Sequence, residues 1–318
     1  MAYNFDPELA PLVEMLPGLS MDDPVAARAG FTEIMQAMNA EVDRSGVSIE
    51  DFNIPGPEGA PDVPLRLYRP EGLSATTGAI LHIHGGGFVI GDLDSELGSC
   101  IGLSRALGVP VLSVDYRLAP ETPFPGGLED CYAALCWLAE NTAAQNIDPS
   151  RIVVMGMSAG GGLSAATALL ARDRGGPAIC FQYLGIPEVD DRLETTSMVE
   201  FDDTPMWSRP AAIISWDCYL GEQYQRGGAD VPYLAAPARA TVDELRGLPP
   251  AYISTMEFDP LRDEGILYAL NLLRAGVQTE IHSFPGTFRG SSMVPTAEVS
   301  QREANDTLAV LRRALNIN

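Results

Sequence analysis

"RIVVMGMSAGGGLSAATALLARD", residues 151–173, decides the fold. Arg151 to Gly156 is a short Val/Ile/Met run of strand character, and from Gly161 the chain turns to Ala and Leu at helical spacing. A strand passing directly into a helix leaves room only for a sharp turn, Gly156-Met157-Ser158-Ala159-Gly160. In that G-x-S-x-G spacing the small neighbours permit a strained serine whose hydroxyl stands above the sheet, and the helix N-terminus lends it positive potential. A serine that merely caps a helix would look the same in isolation, so the surrounding chain has to discriminate.

The same alternation continues on both sides. "GAILHIHGG" (78–86), "VPVLSVDYR" (109–117), "AICFQYLGIPE" (178–188), "PPAYISTMEF" (249–258) and "TEIHSFPG" (279–286) read as short apolar strands. Between them "LGSCIGLSRALG" (97–108), "GGLEDCYAALCWLAENTAAQ" (126–145), "GILYALNLLRAG" (265–276) and the terminal "TAEVSQREANDTLAVLRRALN" (296–316) carry helical spacing. Apolar strands alternating with helices imply a doubly wound α/β fold, a mostly parallel sheet covered on both faces. Residues 1–50 read as amphipathic helix, "DPVAARAGFTEIMQAMNAEVDR" (23–44) above all. At about residues 190–235 the rhythm breaks into acidic turns and two tryptophans without a clean strand, which suggests an insertion. The expected organisation is a catalytic domain over 51–318 with a helical cap assembled from residues 1–50 and the insert.

Composition narrows the function. The 318 residues are 46% hydrophobic, enough for a substantial core, and a formal net charge of −23 disfavours nucleic acid and anionic membrane surfaces as partners. Every basic residue is arginine, which excludes a lysine Schiff base. Five cysteines (Cys100, Cys131, Cys136, Cys180, Cys218) lack CxxC spacing, so neither a disulfide framework nor a metal site is indicated. No apolar run reaches the length of a membrane span. The expectation is a soluble, cytoplasmic protein without cofactor or metal, acting on a small molecule.

"HIHGGGF" (82–88) follows a strand well upstream of Ser158. Three consecutive glycines, Gly85 to Gly87, let a loop turn its N–H groups inward, as stabilising a tetrahedral oxyanion requires. An ordinary glycine turn is the bland alternative, and the order of the two motifs argues against it.

"HGGGF", "DYRLAPE" (115–121), "GMSAGG" (156–161) and "EFDPLRDEG" (257–265), in that order, resemble the hormone-sensitive-lipase-like branch of the α/β-hydrolases, over about residues 50–318. The resemblance implies an α/β-hydrolase fold with a helical cap, Ser158 as nucleophile, the amides of Gly86, Gly87 and Ala159 as oxyanion hole, and Asp259 as the acid of a triad. It also implies short or medium acyl esters as substrates and frequent homodimers. Glu257 and Asp263 flank Asp259, and their plain reading is as solvated or ion-paired loop carboxylates. Met157 stands where many relatives carry aspartate.

A more serious departure lies in "FPGTFRG" (284–290), whose family counterpart carries the base histidine where this chain has Arg289. A guanidinium offers donors and no acceptor lone pair, so it cannot take a proton from Ser158. The three histidines are elsewhere: His82 inside a strand, His84 at the head of the glycine loop, His282 in the final strand. An Arg289–Asp259 ion pair is expected. In the insert Met206, Trp207, Trp216 and Tyr219 are candidates for an acyl or ligand pocket, against the alternative that they pack as cap core.

Two functions compete. One is a serine carboxylesterase impaired by loss of its base. The other is a non-hydrolytic protein that binds a small carboxylate-bearing ligand between the oxyanion cradle and Arg289, since arginine pairs bidentately with carboxylate; plant gibberellin receptors resemble this family with the same histidine replaced. A different reaction, with Arg289 as electrostatic stabiliser and Ser158 or Tyr116 as proton donor, is a third reading that no residue singles out.

Overall fold

A computed structural model describes residues 3–16 and 23–317. In chain order these form α1 (Ala10–Val13), α2 (Pro24–Asn39), β1 (Val47–Ile54), β2 (Val63–Pro70), β3 (Thr77–Ile83), α3 (Leu97–Leu107), β4 (Val111–Val114), α4 (Gly126–Glu140), α5 (Thr142–Gln145), β5 (Ile147–Met157), α6 (Ala159–Asp173), β6 (Phe181–Gly185), α7 (Thr196–Glu200), α8 (Arg209–Leu220), β7 (Ala251–Met256), α9 (Arg262–Arg274), β8 (Thr279–Phe284) and α10 (Glu298–Ala314).

The eight strands make one sheet in the order β1-β2-β4-β3-β5-β6-β7-β8. β2 runs antiparallel to both neighbours, and every other pairing is parallel. Leu81 lies opposite Leu112 on one side and Val154 on the other, which sets the register at the centre. Successive strand residues point to opposite faces, so the apolar runs divide between two cores. Leu81, Ile83 and Val154 join Leu163 of α6 and Leu135 of α4, whereas Ile80, Val111, Val153 and Met155 join Leu97 of α3 and Leu311 of α10. Burial on both faces explains the continuous Val/Ile/Leu runs of the central strands.

The predicted strands and helices are present, and the chain has an α/β-hydrolase fold. The boundary expected at residue 50 is displaced, because β1 already begins at Val47, pairing opposite Pro70. Nor is the first stretch of chain uniformly helical. Residues 3–16 hold only the single turn α1, and their apolar side chains Phe5, Leu9, Leu12 and Val13 pack with Phe284 at the end of β8 and Phe288 in the loop after it. Residues 1–2 and 17–22, which also fell within the helical expectation, lie outside the described residues. α2 starts as its sequence predicts, with Asp23 accepting from the Ala26 amide and Pro24 in the first turn. Residues 190–235 contain α7 and α8 and no strand. Among the described residues no helix is long and apolar enough to cross a membrane.

The topology places the loops after β3, β5, β6, β7 and β8 together at the carboxyl end of the parallel strands. Open α/β sheets bind ligands in that position.

Candidate active site

Ser158 connects β5 to α6 with φ 61° and ψ −125°, a region that residues with a Cβ rarely occupy. The glycines on either side make this possible. A Cβ on Gly156 would lie 2.3 Å from Gly160 O, and one on Gly160 would lie 2.1 Å from Ile83 O. The turn is held by Ser158 N donating to Gly185 O at 2.8 Å and by Gly162 N and Glu188 N, both donating to Ser158 O. The strain is thereby fixed by backbone on three sides, and it raises the hydroxyl above the sheet. Met157 packs back onto β6, where a Cβ on Gly185 would meet its Sδ at 2.0 Å.

The loop after β3 passes beside this turn. Gly86 and Gly87 have φ of 113° and 57°, and a Cβ on Gly86 would lie 2.0 Å from Ile90 O. The amides of Gly86, Gly87 and Ala159 have no intramolecular acceptor among the described residues. Amides left free beside a serine hydroxyl are able to donate to an oxyanion. His84 secures the loop from beneath: Nδ1 donates to Gly85 O at 2.7 Å, its ring stacks on Tyr116 at 4.2 Å, and Tyr116 Oη donates to His84 O.

On the other side of Ser158, Asp259 follows β7 and Arg289 follows β8. Arg289 Nη1 donates to Ser158 Oγ at 2.6 Å, Nε is 3.2 Å from Asp259 Oδ2, and Nη2 is 3.4 Å from Oδ1. The expected ion pair is therefore made, both carboxylate oxygens facing the guanidinium. Asp259 is fully buried and also accepts from Leu261 N at 2.8 Å. Arg289 lies over the Trp207 ring, 4.9 Å from its centroid, a cation–π contact from the insert. The chain thus runs from carboxylate to guanidinium to serine hydroxyl, with the guanidinium in the middle.

None of the three histidines bonds to Ser158. Burial pushes both His82 and His84 down to about 4, so each is neutral at pH 7. His282 sits on β8 between Glu280 Oε1 at 3.2 Å and Asp306 Oδ2 at 3.1 Å. The flanking carboxylates are used elsewhere as well: Glu257 accepts from Gly286 N, and Asp263 pairs with Arg262 and accepts from Ser197 N. Among the described residues no cluster of three or more His, Cys, Asp or Glu is placed to hold a metal.

Of the aromatic candidates in the insert, Trp207 reaches the site, where its Cη2 would lie 2.5 Å from a Cβ on Gly87. Met206 is near as well, its Sδ 2.5 Å from where a Cβ on Gly290 would stand. Trp216 and Tyr219 are both buried. They pack on Phe88 behind the glycine loop, with ring centroids 5.3 and 4.0 Å from it.

Residues 80–292 match the model of the family described as alpha/beta hydrolase fold. The chain belongs to that family. Carboxylesterase NlhH of Mycobacterium tuberculosis is 40% identical over 269 residues, covering 82% of this chain and 81% of that protein. Esterase LipI of the same species is 36% identical over 318 residues, covering 98% and 95%. Among solved structures, a bacterial heroin esterase superposes with a TM-score of 0.95 at 52% identity, covering 98% of both chains. By family this α/β-hydrolase is a carboxylic ester hydrolase of the hormone-sensitive-lipase-like type.

Two groups at the site escaped the reading of the sequence. Glu188, just beyond β6, is buried, and the charges of Arg289 and Asp259 act on its carboxyl. Ser215 of α8 reaches the glycine loop, donating to Gly87 O at 2.8 Å. Glu188 had one sequence signal, a carboxylate just past a strand's carboxyl end. Ser215 had none.

Proposed function

We propose that this chain is a serine carboxylesterase scaffold for short and medium acyl esters in which Ser158 is the nucleophile, Gly86, Gly87 and Ala159 form the oxyanion hole, and Arg289 occupies the place of the general base, leaving turnover weak. The observation that carries the reading is the 2.6 Å bond from Arg289 Nη1 to Ser158 Oγ. Here the serine oxygen accepts, whereas activation requires a partner that takes its proton. An arginine held by Asp259 cannot do so.

The magnitude follows from how serine hydrolases respond to loss of a triad member. Removing the base costs on the order of 10⁴ to 10⁶ in turnover, while the oxyanion hole and binding alone retain roughly 10³ to 10⁴ over water. Faint hydrolysis is expected. The protein is further read as cytoplasmic, with a small-molecule partner and no nucleic acid or membrane partner, and as a homodimer by analogy with its relatives.

The free amides beside a guanidinium support a second reading. A small carboxylate bound there would accept from Gly86, Gly87 and Ala159 and pair with Arg289, so the site would retain an acid without turning over an ester. Hydrolysis of p-nitrophenyl acetate and butyrate, measured side by side for this chain and Arg289→His, separates the two. A large gain on substitution supports the esterase. Inert proteins of intact fold would direct attention to binding of acetate and butyrate themselves.

A further inference from the structure

Glu188 touches both halves of the site. Its backbone N–H donates to Ser158 O at 3.1 Å, beneath the nucleophile turn, and a Cβ on Gly162 would stand 2.0 Å from Glu188 O, so the glycine is what admits the loop after β6. Its side chain runs to the other half, with Oε1 3.1 Å from Ser215 Oγ, whose own bond goes to Gly87 O.

Ser215 has one hydroxyl hydrogen, and Gly87 O is a carbonyl that can only accept. The shorter contact, 2.8 Å, takes that hydrogen. Two lone-pair-bearing oxygens, Ser215 Oγ and Glu188 Oε1, would then face each other at 3.1 Å unless the carboxyl brings a hydrogen of its own. Glu188 Oε2 is buried with no partner, an arrangement far costlier for a carboxylate than for a neutral acid.

We propose that Glu188 is a positioning residue that works as a carboxylic acid, donating to Ser215 so that Ser215 in turn holds the Gly87 carbonyl and fixes the oxyanion loop. The proposal rests on the reading of Gly87 as an oxyanion donor. When Glu188 loses its proton, the single hydrogen of Ser215 turns to the carboxylate and Gly87 O is released. The loop, at φ 57° for Gly87 and wedged against Trp207, is then free to shift its amide away from the developing oxyanion.

The surroundings agree. Burial pushes Glu188 up to about 7, with Arg289 and the Ser215 hydroxyl pulling down and Asp259 pushing up. The other titratable groups that face it are Glu264, Tyr116 and Tyr219, all buried. A carboxyl raised in the folded state is protonated below its folded pKa and loses the proton as pH rises, so the oxyanion loop is secured on the acid side of neutrality and loosened on the alkaline side. Replacing Arg289 by a neutral histidine removes the cation and moves the transition to higher pH.

Two measurements on the full chain decide the matter. In ¹³C,¹⁵N-labelled protein, the Glu188 carboxyl carbon is followed with pH together with the Gly87 amide. The expected result is a near-neutral Glu188 transition that the Gly87 amide tracks, with tracking lost in Ser215→Ala. A Glu188 that titrates as an ordinary carboxylate, or a Gly87 amide indifferent to it, overturns the proposal. In the Arg289→His background, Glu188→Gln keeps a permanent donor to Ser215 and should abolish the alkaline fall in kcat, whereas Ser215→Ala should lower kcat roughly tenfold or more at acid pH with little change in KM. An alkaline limb that survives in Glu188→Gln excludes Glu188 as its source. If Arg289→His proves inert, the esterase reading fails, and the titration still tells whether Glu188 controls Gly87.

Discussion

Arg289 and Asp259 face each other through both nitrogens and both oxygens, 3.2 and 3.4 Å apart, while the same guanidinium donates to Ser158 Oγ. Arg289 thus stands in line between a carboxylate and a serine hydroxyl, and under the proposed esterase reading it reverses the proton logic of a triad. The middle position, which should accept from serine and donate to the acid, donates in both directions.

That reversal makes Arg289→His the most informative single change. Turnover of p-nitrophenyl butyrate should rise by about 10³-fold or more, because an imidazole at this point supplies an acceptor for the Ser158 proton. Arg289→Gln, which offers no base, should remain at the level of the starting chain, and Ser158→Ala should abolish the gain. Steady-state kinetics on the purified variants checks all three.

The same ion pair sets up a stability test. Asp259→Asn leaves Arg289, only 13% exposed, without its counter-charge, and should lower the unfolding free energy by about 3 kcal/mol. Adding Arg289→Gln should restore most of the loss. Urea unfolding of the two single variants and the double variant measures the coupling, and additive losses would show that the pair is not energetically linked.

Two glycines should fail in different ways. A Cβ on Gly160 meets backbone, 2.1 Å from Ile83 O and 2.6 Å from His84 O, so Gly160→Ala should destabilise by about 4 kcal/mol or prevent folding. A Cβ on Gly87 meets side chains in place of backbone, the rim of Trp207 at 2.5 Å and Ser215 Oγ at 3.1 Å. In the Arg289→His background Gly87→Ala should therefore fold and lose on the order of 10² in kcat. Thermal unfolding and kinetics on the same samples separate the two outcomes.

Buried Glu303 on α10 gives a prediction for pH. Burial, aided by the nearby charge of Asp306, pushes it up from 4.5 to about 7. A carboxyl raised on folding binds its proton more tightly in the native state, so its contribution is present at acid pH and is lost as pH rises from about 4.5 through 7. Glu303→Gln should therefore gain stability relative to the parent at pH 8, by up to about 3 kcal/mol, with little difference at pH 4. Urea midpoints at the two pH values test the sign.

The sequence by itself determined the parts of this protein that depend on local chemistry. A strand of Val and Ile running into an Ala-rich helix through G-x-S-x-G leaves one backbone solution, and the glycines before Phe88 turn their amides inward for the same steric reason. Strand alternation and the flanking helices then imply the sheet, and Arg289 announces its chemical consequence from its identity alone. What required tertiary structure are the contacts that join distant segments: Phe5 and Leu9 against the loop that carries Arg289, Trp207 beneath its guanidinium, and the Glu188–Ser215–Gly87 chain. Trp216 and Tyr219 show the limit well, since an aromatic in an insert has the same sequence signature whether it lines the site or packs behind it on Phe88. Periodicity reports which face of an element is buried, and only the packing of elements far apart in the chain determines which groups meet there.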